Sequence, residues 1–294
     1  MKSVLVTGAT GFIGRQTIRP LLDLGFEVHA VFNRTLPLPI DGVTWHRVDL
    51  LSEQPDLQTT HLLHLAWYAE PVAFWDSPLN RQWLRRSIDL LDRFRGTRAV
   101  VAGSCAEYDW SAGLCVERQT PLAPRGVYGA CKDILRRHLE LRNLSSAWAR
   151  IFFVFGPYEP PQKLIGSTVC ALLAGQRVRV SALQRRDFLY VEEAGAALAS
   201  LLDSDVEGPV NIGSGEAIAI RSLAEDIAEL VGRRELLDLD ESLTVPEIVL
   251  ADVTRLSTEV GFSPHTNVAE NLAATVKWWR SRRVGDALVR PSLP

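Results

Sequence analysis

The chain has 294 residues, with 32 Lys and Arg against 35 Asp and Glu, a formal charge of −3. Hydrophobic residues make up 47% and charged residues 23%, which fits a soluble globular protein and excludes a disordered, fibrous or coiled-coil chain. The near-neutral balance excludes a dedicated nucleic-acid binder, and the apolar runs fall far short of the roughly 18 residues that a membrane helix needs.

Short apolar runs alternate with helical patterns along the first half. Ser3–Val6, Glu27–Phe32, Val43–Val48, His61–Ala66, Arg98–Ala102 and Ala147–Val154 read as strands, most of them too continuous to be half-exposed. Phe12–Leu24, Asn80–Phe94 and Gly126–Leu144 read as helices, the first with Pro20 expected to kink it or force a local adjustment. Alternation of this kind gives right-handed crossovers and a parallel, doubly wound α/β sheet of the Rossmann type. The Pro-rich stretch Gly156–Pro161 then breaks the pattern. Beyond it, Val178–Val180 and Pro209–Ile212 look like short strands, and Glu192–Leu202, Ser222–Val231, Thr254–Val260 and Asn267–Arg282 like helices. The tail after Arg282 is expected to be loosely ordered. The expected organisation is a dinucleotide-binding domain over residues 1–157. Residues 158–294 then form mainly a smaller α/β substrate lobe, with some segments returning to the first domain and the ligand in the crevice between them.

Cys105, Cys115, Cys131 and Cys170 form no C-x-x-C pair and have no His cluster at zinc spacing, so no metal site is expected. They read as reduced thiols in a cytoplasmic protein that carries no signal peptide.

Thr7-Gly8-Ala9-Thr10-Gly11-Phe12-Ile13-Gly14 lies between the first strand and the first helix. Glycines at i, i+3 and i+6 allow a tight turn, close approach of a phosphate and close helix packing, and the helix N-terminus favours a pyrophosphate. NAD enzymes carry an acid at the end of the second strand for the ribose hydroxyls. Here Asn33 and Arg34 stand there instead, and a guanidinium suits a 2′-phosphate, which favours NADP over NAD. Arg15 is a second candidate for that phosphate. Asp49, after the third strand, suits the adenine edge or caps its own turn.

Tyr128 and Lys132 stand at i and i+4, on one helix face. An ammonium near a phenol favours the phenolate and makes Tyr an acid–base group. Ser104, after the fifth strand, offers a hydroxyl to a substrate oxygen.

Together these residues resemble an extended short-chain dehydrogenase/reductase of the NAD-dependent epimerase/dehydratase type, a family acting on nucleotide sugars. His64-Leu65-Ala66, Ser104–Tyr108, Arg150–Pro157, Arg186–Val191, Asn211–Gly215 and Ala251–Val253 resemble further landmarks of the family. The resemblance implies a catalytic set of Ser104, Tyr128 and Lys132. It implies that the cofactor is held by Gly8, Thr10, Gly11, Phe12, Ile13, Gly14, Asn33, Arg34, Asp49, Leu50, Leu65 and Ala66, with Tyr128 and Lys132. Ser104, Glu107, Phe153 and Arg186 would contact substrate, Arg186 through the nucleotide phosphates, where Arg185 and Lys163 are further candidates. A homodimer through the helices Asn80–Phe94 and Gly126–Leu144 is implied as well.

The chain departs from the family at Phe153, where an Asn is frequent, and at Trp83, near Asn80, where an Asn often opens the helix. Dehydratases carry an Asp-Glu pair after the hydroxyl residue, and Cys105-Ala106 stand here. Trp67, Tyr68, Phe74 and Trp75 read as a packed corner of the core, or else as a wall of the sugar or base site. The expected activity is therefore an NADP(H)-dependent reductase of a nucleotide-linked keto-sugar, with a 4-keto-6-deoxyhexose favoured. The alternatives are an epimerase with tightly held cofactor, a non-catalytic dinucleotide sensor, and a reductase of a non-sugar carbonyl.

Overall fold

The computed structural model describes residues 2–34, 37–71, 73–142, 144–240, 242, 247–265 and 267–283, so most of the tail after Arg282 lies outside the described residues. In chain order the elements are β1 (Ser3–Thr7), α1 (Gly14–Asp23), β2 (Glu27–Phe32), β3 (Val43–Arg47), β4 (His61–His64), α2 (Leu79–Arg93), β5 (Arg98–Ser104), β6 (Leu114–Cys115), α3 (Gly126–Glu140), β7 (Ser145–Ile151) and β8 (Phe153–Phe155). The second half adds α4 (Leu164–Leu173), β9 (Val178–Ser181), β10 (Arg185–Tyr190), α5 (Val191–Asp203), β11 (Gly208–Ile212), β12 (Ala217–Ala219), α6 (Ile220–Val231), β13 (Leu237–Asp240), β14 (Ile248–Ala251), α7 (Thr254–Thr258) and α8 (Val268–Arg283).

The continuous apolar strands pair in parallel in the order β3-β2-β1-β4-β5-β7-β11, a doubly wound Rossmann sheet. Val4, Val6, Val28, Leu63, Val100 and Ala147 are buried in one core cluster, Leu5, Leu62, Ala99 and Val101 in another, so the sheet is covered on both faces. Strand order reverses between β1 and β4, and ligands of such sheets bind at that switch point, outside the carboxyl ends of the strands. A second sheet, β12-β10-β14-β6 with β8 beside β10, forms the smaller unit, and β9 pairs with β13. The segments that return to the large sheet are β11, which pairs with β7, and α5, which packs on α1.

Three expectations change. The stretch Ala147–Val154 is two strands: β7 belongs to the large sheet and β8 to the small one. At the break Phe152 donates its N–H to the Ile212 carbonyl at 2.9 Å, so one apolar run feeds two cores. The first helix starts at Gly14 because Phe12 and Ile13 belong to the glycine turn. Pro20 lies inside α1, whose helix continues around it. A Cβ on Gly195 of α5 would stand 2.3 Å from the Gln16 carbonyl, the group Pro20 cannot bond, so a glycine is what lets α5 close over this point.

Candidate active site

The glycine turn is dictated by close contacts. Gly8 has φ +70°, and a Cβ there would lie 2.8 Å from the Ala66 nitrogen. A Cβ on Gly14 would lie 2.0 Å from the Gly8 carbonyl oxygen, which already accepts the Gly11 N–H at 2.9 Å. No side chain caps α1; the Arg15 and Gln16 N–H groups bond the Gly11 and Ile13 carbonyls at 3.2 and 2.9 Å, and the helix N-terminus itself favours an anionic ligand. These features fit a dinucleotide pyrophosphate. Thr7 Oγ1 fixes the far wall by accepting the N–H groups of Leu65 and Ala66 at 3.2 and 3.3 Å. Its own proton then goes to His64 Nδ1 at 2.7 Å, which makes Nε2 of His64 the donor to Ser87 Oγ at 2.8 Å. Burial, aided by the Lys132 charge, pushes the His64 pKa down to about 3, so the ring is neutral.

Asn33 and Arg34 are exposed just beyond β2, in the positions where an NAD enzyme would carry its acid. Arg15 instead donates to the carbonyls of Thr10 at 2.7 Å and Gly11 at 3.2 Å, with its guanidinium 3.9 Å from the Tyr158 ring centroid. Asp49 Oδ1 accepts the Leu51 N–H at 3.1 Å, which realises the turn-cap alternative. Leu50 packs into the core, and its carbonyl accepts from Arg86 at 2.9 Å.

Ser104 ends β5, and Tyr128 and Lys132 stand one turn apart on α3, which packs on that strand. Burial pushes the Tyr128 phenol up, a hydrogen bond with the Ser104 side chain opposes this, and the Glu107 charge adds to the rise. Burial pulls the Lys132 ammonium down to about 7, against the Glu107 charge. Lys132 donates to the Ala102 carbonyl at 2.8 Å and lies 3.8 Å from the Trp67 ring centroid.

The aromatic cluster after β4 surrounds Tyr128, which corrects the reading as a core corner. Phe74 meets the Tyr128 ring edge-on at 4.8 Å, with Trp75 at 6.1 Å and Trp67 at 6.4 Å, and the Tyr128 N–H donates to the Trp75 carbonyl at 2.9 Å. Asn80 pins Trp67 by accepting its Nε1–H at 2.8 Å. Four aromatics in the nine residues 67–75 were the available signal.

The substrate-side candidates are more dispersed. Glu107, expected to touch substrate, is fully buried, with both oxygens taken by Ser104, Trp148 and Arg150, so it cannot. Arg186 is tucked between Trp110 and Phe153 and pairs with Glu247, 61 residues further along the chain, at 2.5 Å. Arg185 pairs with neither Asp187 nor Glu192 and donates to the Ala217 carbonyl instead. Asp187 is buried and takes the N–H groups of Ser214, Gly215 and Ala251. Phe153 packs edge-on against Trp110 at 5.9 Å. Lys163 lies 4.9 Å from the ring of Phe12 in the glycine turn and donates to the Val154 carbonyl at 3.3 Å. Sequence reasoning missed Trp110, whose Nε1–H donates to the Cys105 carbonyl at 2.8 Å, and Arg125, stacked on Trp110 at 4.1 Å; an isolated Trp and Arg carry no pattern.

Known proteins are similar to this chain over nearly its whole length. UDP-glucuronic acid decarboxylase 1 of Xenopus tropicalis is 25% identical over 95% of this chain and 72% of its own. The dTDP-4-dehydro-6-deoxy-D-allose reductase of Streptomyces bikiniensis is 27% identical over 95% of this chain and 96% of its own. The solved structure of MoeE5 in complex with UDP-glucose and NAD is 29% identical, with a TM-score of 0.79 over 96% of this chain and 99% of that one. The model of the NAD dependent epimerase/dehydratase family matches residues 4–213, from the first strand to just past the last strand of the large sheet. With its glycine turn at the switch point and a Tyr–Lys pair on the facing helix, the chain belongs to this family of NAD-dependent, nucleotide-sugar-modifying enzymes.

Proposed function

We propose that the protein is an NADP(H)-dependent reductase of a nucleotide-linked keto-sugar, with a 4-keto-6-deoxyhexose as substrate. One observation carries this reading: the turn after Ser104 offers no second acid or base. Cys105 is a buried thiol held well above its usual range by burial, Ala106 has no polar group, and the Glu107 carboxylate is spent on internal donors. Elimination of water needs such a group beside the Tyr, whereas reduction of a carbonyl needs one proton donor.

When bound, the dinucleotide supplies hydride at the nicotinamide C4. Tyr128 gives its phenolic proton to the carbonyl oxygen. The Lys132 ammonium stabilises the phenolate left behind, and Ser104 donates to the oxygen as charge develops on it. Arg186 and Lys163 hold the nucleotide phosphates, and that remote binding energy orients the reacting carbon. The aromatic wall of Trp67, Phe74 and Trp75 excludes water and suits a sugar face that carries a methyl rather than a charged group. Arg34, at the position where NAD enzymes carry an acid, supports NADP over NAD. The reductase among the relatives supports the same assignment. Buried thiols at Cys105, Cys115 and Cys131 support a reducing compartment, the cytoplasm. Ile134 and Leu141, exposed on and just after α3, support a homodimer through α2 and α3.

The test is NADPH oxidation with a nucleoside-diphosphate 4-keto-6-deoxyhexose. One NADPH is consumed per product, and Tyr128→Phe lowers kcat by roughly 10²–10⁴ with NADPH affinity unchanged. Product formed without net cofactor consumption selects the epimerase, and full activity in Tyr128→Phe removes the mechanism altogether.

A further inference from the structure

The buried carboxylate of Glu107 stands three residues after the hydroxyl assigned to catalysis. Its Oε1 accepts the Ser104 backbone N–H at 2.8 Å, and Ser104 Oγ accepts the Ala106 N–H at 3.1 Å, a reciprocal capping box on the short helical turn 105–107. Such boxes usually sit in solvent, where they are loose. This one is sealed by the neighbouring strand. Trp148 Nε1–H donates to both carboxylate oxygens at 2.9 Å, and Arg150 Nε–H donates to Oε2 at 2.9 Å. Arg150 is itself anchored on the Tyr108 hydroxyl at 3.0 Å and the Glu117 carbonyl at 3.1 Å. Tyr108 passes its proton to Asn211 Oδ1 at 2.8 Å, and Asn211 bonds the Cys115 and Asp252 carbonyls at 2.8 and 3.0 Å. A Cβ on Gly103 would stand 2.1 Å from Trp148 Nε1 and 2.8 Å from Glu107 Oε1, so this glycine is what admits the indole to the carboxylate. The carboxylate's bonds come from the Ser104 backbone and from the buried side chains of Trp148 and Arg150.

We propose that Glu107 is a positioning residue. Braced by Arg150 and Trp148, it fixes the Ser104 turn so that the Ser104 hydroxyl meets the Tyr128 phenol and a bound carbonyl. The proposal rests on the reductive reading above only in that Ser104 and Tyr128 act together on substrate. Glu107 touches neither substrate nor cofactor; beyond its charge on Tyr128 and Lys132, it acts through Ser104.

A double-mutant cycle separates this role from a general structural one. Glu107→Gln keeps the shape, but its amide NH₂ opposes the Arg150 and Trp148 donors, so the turn loses its brace. The expected result is a kcat lower by roughly 10–100-fold, with KM and NADPH affinity within about threefold of the native enzyme. In a Ser104→Ala background the same change costs less than about threefold, because the group it positions is gone. A loss that multiplies fully in that background, or no loss in the single variant, overturns the proposal. Where Glu107→Gln fails to fold, Trp148→Phe removes one donor only and carries the same non-additivity test. A crystal structure of the variant gives an activity-independent readout. Ser104 Oγ should move by more than the roughly 0.5 Å that a preorganised site tolerates. An unmoved Ser104 overturns the proposal, while a moved Ser104 in a protein that reduces no keto-sugar removes the functional reading and leaves the positioning role standing.

Discussion

Replacing Gly14 by Ala tests the site at its most constrained point. The added carbon would stand 2.0 Å from the Gly8 carbonyl oxygen, 2.8 Å from its carbon and 3.0 Å from the Ala9 Cα, all backbone atoms that cannot rotate away. Non-bonded heavy atoms rest near ~3.5 Å, so the turn must open by ~1.5 Å. Overpacking of that kind costs about 1–3 kcal/mol, and the Gly11 N–H bond to the same oxygen adds about 1 kcal/mol if it breaks. In a chain of this size that lowers Tm by roughly 5–10 °C. The pyrophosphate-facing N–H groups move with the turn. Losing one charge-assisted bond of about 1.5–3 kcal/mol weakens dinucleotide binding by roughly 10–150-fold. Gly11→Ala is the internal control: its carbon would meet the same oxygen at 3.1 Å, a contact relieved by a few tenths of an ångström. It should melt within about 2 °C of the native protein and still lose affinity, because the second glycine is where the phosphates approach the backbone. Thermal melts without ligand and calorimetric titration with NADPH and NADH read both quantities. A Gly14→Ala protein that melts and binds like the native one refutes the reasoning.

Arg34→Ala should weaken NADPH by roughly 10–100-fold while leaving NADH within about twofold, and equal losses for the two would remove the 2′-phosphate assignment. The Lys132 ammonium, with its pKa near 7 before ligand binds, is present below that pH and lost above it, so kcat/KM for reduction should be level in mild acid and fall as pH rises through about 7. Lys132→Arg keeps the charge at all pH values and should abolish that inflection, whatever its absolute rate. His64 binds its proton only near pH 3 when folded, against an ordinary value of 6.5. Its contribution to stability is therefore complete above pH 6.5 and is lost as pH falls towards 3, by an amount on the order of 5 kcal/mol at the acid end. Urea midpoints across that range should show it, and His64→Gln should flatten the slope; an unchanged slope shows that another group drives the acid transition.

Much of the fold and part of the site are local properties, and these were legible in the sequence. Strands buried on both faces must be continuously apolar, so β1, β4 and β5 announce themselves and imply the parallel sheet. The glycine spacing describes a turn whose tightest contact, Gly14 against Gly8, is local, and Tyr128 and Lys132 share a face because helical periodicity places i and i+4 together. The failures came where one run serves two structures. β7 and β8 read as a single strand because apolarity does not say which sheet a residue joins, and α4 and β6 left no clear period at all.

What the sequence by itself determined is the scaffold, the phosphate turn and the candidate proton-transfer pair, because each is set by neighbours along the chain. Only the tertiary structure decided what the ionised and aromatic side chains do. Glu107 finds Arg150 at a separation of 43 residues, Arg186 finds Glu247 at 61, and three aromatics of the loop after β4 close around Tyr128 on a distant helix. A charge in sequence has no partner until the chain folds. Whether it is spent on the interior or left for a ligand is settled by burial and by donors that come from other strands.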